Sequence, residues 1–183
     1  MIHRKPTREE IAAAAGKKVP DVIAPELRVL FCGINPGLYS GATGHHFSRP
    51  GNRFWPTLHR SGFTPAQIHP FDERELLDHS LGITNFVERA TARADQLDDD
   101  ELRAGQARVE SKVRRFKPAW LALCGVSAYR VAFEDKEATV GPQPRTIGTT
   151  RVWVLPNPSG LNAHYQLDAL AEVFARLRTA AAE

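Results

Sequence analysis

Val29-Leu30-Phe31-Cys32-Gly33-Ile34-Asn35-Pro36-Gly37 is an apolar run that stops at a glycine and turns at Asn-Pro-Gly. β-Branched and aromatic residues closed by Gly and Pro make a buried strand that feeds a tight loop. The pattern returns at Val152-Trp153-Val154-Leu155, followed by Asn157-Pro158-Ser159-Gly160. Loops at the carboxyl ends of parallel strands are where open α/β sheets bind ligands. Both turns are therefore expected to face one site.

Outward from these two runs, Leu81 to Val87 and Trp120 to Cys124 read as further strands. Between them a helix is expected from about Asp99 to Phe116, its acidic start and basic end both suiting the helix dipole. Thr7-Arg8-Glu9-Glu10 is a capping box opening an Ala-rich helix. Asn52 is placed to cap a short helix that turns Phe54, Trp55 and Leu58 inward, Asp72 to Glu75 starts another, and a helix runs over about Ser127 to Phe133. Residues 134–144 read as a polar, mobile loop, Thr146-Ile147 and Arg151 to Leu155 as a hairpin or the fourth main strand, and a last helix begins near His164. Strands alternating with helices give a three-layer α/β/α fold with a mainly parallel central sheet of about four strands. The expected organisation is an N-terminal helix and linker over 1–26 and one α/β domain over 27–183.

Composition narrows the classes. With 183 residues, 42% hydrophobic and 25% charged, the chain has room for one sizeable core. Its start carries no apolar segment long enough for a secretory signal or a membrane span, so a cytoplasmic or nucleoid address and no membrane partner are expected. Cys32 and Cys124 sit inside apolar runs and read as inert core thiols. The seven histidines show no His-x-x-x-His or Cys-x-x-Cys spacing, so no metal is expected. The glycines of 33–51 lack both the Gly-x-Gly-x-x-Gly and the Gly-Lys-Ser/Thr patterns, which argues against a nucleotide cradle, and no cofactor is expected.

The net charge is only +3, yet the sequence pI is about 9.1. Arg103, Arg108, Lys112, Arg114, Arg115 and Lys117 share the central helix, and Arg4, Lys5, Arg8, Lys17 and Lys18 crowd the start. Such patches neutralise phosphates or are simply solvated helix faces, and charge alone leaves both open.

Gly33-Ile34-Asn35-Pro36-Gly37-Leu38, Gly44-His45-His46-Phe47, Gly51-Asn52-Arg53-Phe54-Trp55, Gly82-Ile83-Thr84-Asn85-Phe86-Val87-Glu88-Arg89 and Asn157-Pro158-Ser159-Gly160-Leu161 occur in that order. Together they resemble the mismatch-specific uracil/thymine DNA glycosylase family of the uracil-DNA glycosylase superfamily, over about residues 27–177. The resemblance implies a four-stranded parallel sheet between helices. It also implies a monofunctional DNA-repair hydrolase that flips uracil, or another mismatched or damaged pyrimidine opposite guanine, from duplex DNA. The alternative is a lesion-binding module that flips bases without cleaving them. Action on one nucleotide does not require more than a monomer, so a monomer is expected.

By the same resemblance, Asn35 holds the attacking water, while Ile34, Gly37, Ser40, Phe47 and Asn85 form the base pocket. Asn157, Ser159, Gly160, Leu161 and Asn162 belong to the loop that enters the duplex, with Leu161 as the wedge and its neighbours near the opposing base. Each also has a plainer reading: Asn35 as a turn former, Phe47 as a core aromatic, Leu161 as a core residue at a helix start. Asp95 or Glu88 is placed to assist the water, or else pairs with Arg93 or Arg89 at the surface. Faster members of the superfamily carry Asp where this chain has Asn35 and Tyr where it has Gly37. Loss of a positioned general base costs on the order of a hundredfold, so slow turnover with tolerance for bulkier pyrimidines is expected. Neither motif contains a lysine, which disfavours Schiff-base lyase chemistry.

Overall fold

Five strands form one sheet among the described residues, which are 3–183 of a computed structural model. They are β1 (Val29–Gly33), β2 (Leu81–Asn85), β3 (Trp120–Cys124), β4 (Gly141–Ile147) and β5 (Thr150–Leu155). The order across the sheet is β2-β1-β3-β5-β4. β1, β2, β3 and β5 are mutually parallel, and β4 is antiparallel to β5. Chain order reverses at β1, which has β2 on one side and β3 on the other, and this is the switch point that opens a crevice at the strands' carboxyl ends.

Alternation along each strand divides the core in two. Val29 and Phe31 of β1, Trp120 and Ala122 of β3 and Trp153 of β5 point to one face. There they meet Phe54, Trp55 and Leu58 of α3 (Phe54–Arg60) and Leu170, Phe174 and Leu177 of α6 (Leu167–Ala180). Leu30, Cys32, Leu121, Leu123, Val152 and Val154 point to the other face. They pack on α4 (Asp99–Phe116) and α5 (Val126–Ala132) through Leu102, Val109, Val113 and Tyr129. Period-two burial on both faces is what a sheet between two helical layers requires. Asp98 and Glu101 close a reciprocal capping box at the start of α4, and Lys117 ends it at φ 51°.

The four parallel strands are those the sequence predicts, and the fifth is β4. Residues 134–144 were expected as a loop, but from Gly141 the chain pairs with β5, with a bulge between Pro142 and Thr146. Two prolines within seven residues hide a strand from composition, and they fit only an edge, where missing N–H groups cost no ladder bond. At the opposite edge Val22 exchanges hydrogen bonds with Ile83 and covers part of β2. Residues 3–26 thus hold α1 (Arg8–Ala12), capped by the Thr7–Glu10 box, and a linker laid against the sheet, while residues 1–2 of that segment fall outside the described part. α6 starts at Leu167, three residues later than expected, because the chain from 159 to 165 is held in a loop by hydrogen bonds to Arg53.

Candidate active site

A cleft of about 710 Å³ opens at the carboxyl edge of the parallel strands. The loops after β1, β2 and β5 all reach it, and Asn35, Phe47, Asn85 and Leu161, far apart in sequence, line it together. Ile34, Gly37, Ser40, Asp95, Asn157, Ser159 and Asn162 also stand on its walls, whereas Glu88 and Gly160 do not. α2 (Leu38–Thr43) starts directly behind Gly37 and carries Ser40, whose hydroxyl accepts from the Ser48 N–H at 3.3 Å.

Beyond Gly33 and Asn85 the β1/β2 ladder continues into the loops, through Phe86 N–H to Gly33 O, Val87 N–H to Ile34 O and Thr91 N–H to Pro36 O. This zipper brings Thr91 to Asn35 across 56 residues. Asn35 Nδ2 donates to Thr91 Oγ1 at 2.7 Å, Arg89 O at 3.0 Å and Pro36 O at 3.1 Å. Thr91 Oγ1 itself donates to Arg93 O at 2.8 Å, so it meets Asn35 as an acceptor. Three acceptors around one amide nitrogen fix which end of the side chain is which. Among the described residues no donor reaches Asn35 Oδ1, so a rigid acceptor remains for the cleft.

Phe47 occupies the left-handed region at φ 50°, a costly conformation for a bulky residue and one that collects at functional sites. Its ring stacks on Phe54 with centroids 4.3 Å apart and leaves the rest of its surface on the cleft. Gly33 must lack a side chain here: a Cβ would stand 2.5 Å from Asn85 Oδ1 and 3.2 Å from Phe47 Cζ. Asn85 is oriented from behind. His46 Nε2 lies 2.8 Å from Pro20 O, which can only accept, so the proton belongs on Nε2. Nδ1 is then free to accept from Asn85 Nδ2 at 3.3 Å. Burial keeps His46 neutral, its pKa lowered to about 4.

The backbone before Phe47 hangs on one buried carboxyl. Glu73, in the 3₁₀ helix Pro70–His79, accepts the His46 backbone N–H at 2.8 Å and sits 3.2 Å from His45 Nδ1. His45 Nε2 is buried without a partner among the described residues, which places the imidazole proton on Nδ1 and makes Glu73 its acceptor. Burial raises the Glu73 pKa to about 7. Cys32 and Cys124 are free and buried, and burial pushes the Cys124 thiol up to about 12.

The loop after β5 presents Leu161 to solvent at 75% exposure, the one large hydrophobic residue so exposed among those described. The reading of Leu161 as a core residue therefore falls. Asn157 Oδ1 accepts from Ser159 N–H, and Asn162 Nδ2 donates to Asn157 O, two bonds that shape the loop. Gly160 packs so closely on Gly51 that a Cβ would stand 2.6 Å from its carbonyl oxygen.

Glu88 turns from the cleft to Lys18 at 2.8 Å and Lys112 at 3.8 Å; the hydrogen bond from Lys18 leads in lowering its pKa. Arg89, one of the two arginines anticipated as partners for Glu88 or Asp95, instead grips Glu101 at 2.6 Å. Asp95 lies on the cleft wall but pairs with Arg93, both 70% exposed. Sequence reading missed Thr91, which follows the Gly82–Arg89 motif by two residues, and it assigned no role to His46 or Arg53 although both stand inside quoted motifs. The central-helix cations are largely engaged: Arg103 with Asp100, Lys112 with Asp21, Arg114 with Glu110. No described helix is long and apolar enough to cross a membrane.

The model of the uracil DNA glycosylase superfamily matches residues 20–178, from the linker before β1 into α6. In three dimensions the chain is similar to the solution NMR structure of a putative uracil DNA glycosylase from Methanosarcina acetivorans. The TM-score is 0.60 at 17% sequence identity, over 89% of this chain and 98% of that one, a likeness of fold. With its motifs gathered on one cleft and the family model spanning nearly the whole sheet and both helical layers, the chain belongs to the uracil DNA glycosylase superfamily.

Proposed function

We propose that this protein is a monofunctional DNA glycosylase of the mismatch-specific kind, hydrolysing the N-glycosidic bond of uracil, above all opposite guanine, in duplex DNA. The observation that carries the reading is the Asn35 amide, tied at nitrogen by Thr91, Arg89 and Pro36 with Oδ1 left to the cleft. In the proposed reaction Oδ1 accepts a hydrogen bond from water and directs its lone pair at the sugar. The C1′–N1 bond breaks with its electron pair leaving on the pyrimidine, water oxygen bonds to C1′, and the released proton passes to solvent.

An amide orients but takes no proton, so turnover is slow. Phe47 offers a π-face for the extruded base, Asn85 a polar edge, and Leu161 an apolar side chain to fill the vacated stack. Among the described residues no lysine lines the cleft, which agrees with water rather than an amine as nucleophile. One chain carries every group the reaction uses, so a monomer suffices.

End-labelled duplexes bearing U opposite G, U opposite A and T opposite G, treated with alkali after incubation, test the proposal. Cleavage at U opposite G should fall by about a hundredfold or more in Asn35→Ala while duplex binding persists. Binding without any alkali-sensitive product from the wild type would instead identify a lesion-binding module. Undiminished cleavage by Asn35→Ala would move the water-holding role to Asp95.

A further inference from the structure

Arg53 stands at the start of α3, outside the lining of the cleft, and its guanidinium is spent almost wholly on the backbone of the Leu161 loop. Nη1 donates to Asn162 O at 2.9 Å, Tyr165 O at 3.0 Å and Ser159 O at 3.4 Å. Nη2 reaches Gly160 O and Gln166 Oε1, each at 3.4 Å. Its own backbone N–H donates to Pro158 O at 3.0 Å. Among the described residues no carboxylate lies within ion-pair distance of it. A half-buried cation without an acid partner leans on the carbonyl dipoles it gathers, and those belong to residues on both sides of Leu161.

We propose that Arg53 is the positioning residue of the wedge: its planar fork collects the carbonyls of 159–165 and holds Leu161 ready to enter the duplex before DNA arrives. A loop of seven residues carrying an exposed leucine would otherwise sample many conformations, and each would have to be lost on insertion. α3 is a suitable anchor, since Phe54, Trp55 and Leu58 fix it in the core one turn from the guanidinium. The fork matters as well as the charge, because a lysine ammonium cannot span carbonyls that approach from several directions. The proposal rests on the glycosylase reading for its purpose but not for its geometry.

The test therefore has one arm without catalysis. In hydrogen exchange on the free protein, Arg53→Ala should speed the amides of 159–165 by about tenfold or more while the strands stay protected, and Arg53→Lys should recover only part of that protection. Loop exchange unchanged in Arg53→Ala, or strands and loop loosened together, would overturn the proposal. In the second arm, Arg53→Ala should lower kcat/KM on a U·G duplex by about tenfold or more. It should also reduce the fluorescence rise of a 2-aminopurine beside the target, with the melting temperature within a few degrees of wild type. An undiminished duplex rate would likewise overturn it. Failure of the wild type to cleave any duplex sinks the glycosylase reading alone, and the exchange arm still decides the role of Arg53.

Discussion

Gly33 and Gly37 bracket Asn35 and serve opposite ends. At Gly33 a Cβ has no room, because Asn85 and Phe47 close over the backbone. At Gly37, with φ −74° and ψ 167°, any residue is conformationally allowed, and a Cβ would meet nothing within 4 Å. The bareness of Gly37 is thus not demanded by folding, and it leaves open a wall of the cleft that a larger side chain would fill. Gly37→Tyr should keep the fold and uracil cleavage but lower activity on pyrimidines with a bulky 5-substituent by about tenfold or more. Paired rates on uracil and a 5-substituted uracil in the same duplex measure this. Equal loss on both would show that the tyrosine merely blocks the site.

The segment His45 to Ser48 depends on ionisable groups that pull stability in opposite directions with pH. Glu73 is raised from 4.5 to about 7, so its contribution is full below pH 4.5 and is lost as pH rises through about 7. His46 is lowered from 6.5 to about 4, so its contribution is full above pH 6.5 and is lost as pH falls through about 4. Glu73→Gln removes the first slope. Melting temperatures measured from pH 4 to 8 should then fall less for Glu73→Gln than for wild type between pH 5 and 8, while the acid-side loss persists. Parallel curves would show that Glu73 does not titrate in that window. Elements such as α4, with its capping box and amphipathic spacing, are set by local rules and run where those rules put them. β4 was placed only in part: Thr146-Ile147 does form the hairpin with β5, but the start at Gly141 reads as loop, because edge strands tolerate the prolines that local rules take for a break.

Across the whole molecule, the distribution of free charge differs from its distribution along the chain. α4 gathers cations in sequence, but Asp21, Asp100 and Glu110 neutralise three of them away from the cleft. Arg49, exposed on the cleft wall, makes no ion pair among the described residues. Arg49→Ala should weaken duplex binding and reduce the slope of log K against log salt by about one, whereas Arg114→Ala should leave both unchanged. Binding titrations at several salt concentrations decide between the two faces, and a larger effect at Arg114 would place DNA on the α4 side.

Strand ends, helix periodicity and the Asn-Pro turns were legible in the chain because they follow from short-range rules: apolar alternation, capping geometry and the fixed φ of proline. From them came the α/β/α layering and the pairing of the first and last motifs on one edge. The contacts that make the cleft specific needed the folded molecule. Thr91 under Asn35, His46 behind Asn85, Glu73 beneath the Phe47 backbone and Arg53 across the Leu161 loop join residues 27 to 112 positions apart. Nothing local encodes such partners, since each is chosen by strand order and by how loops from different strands meet.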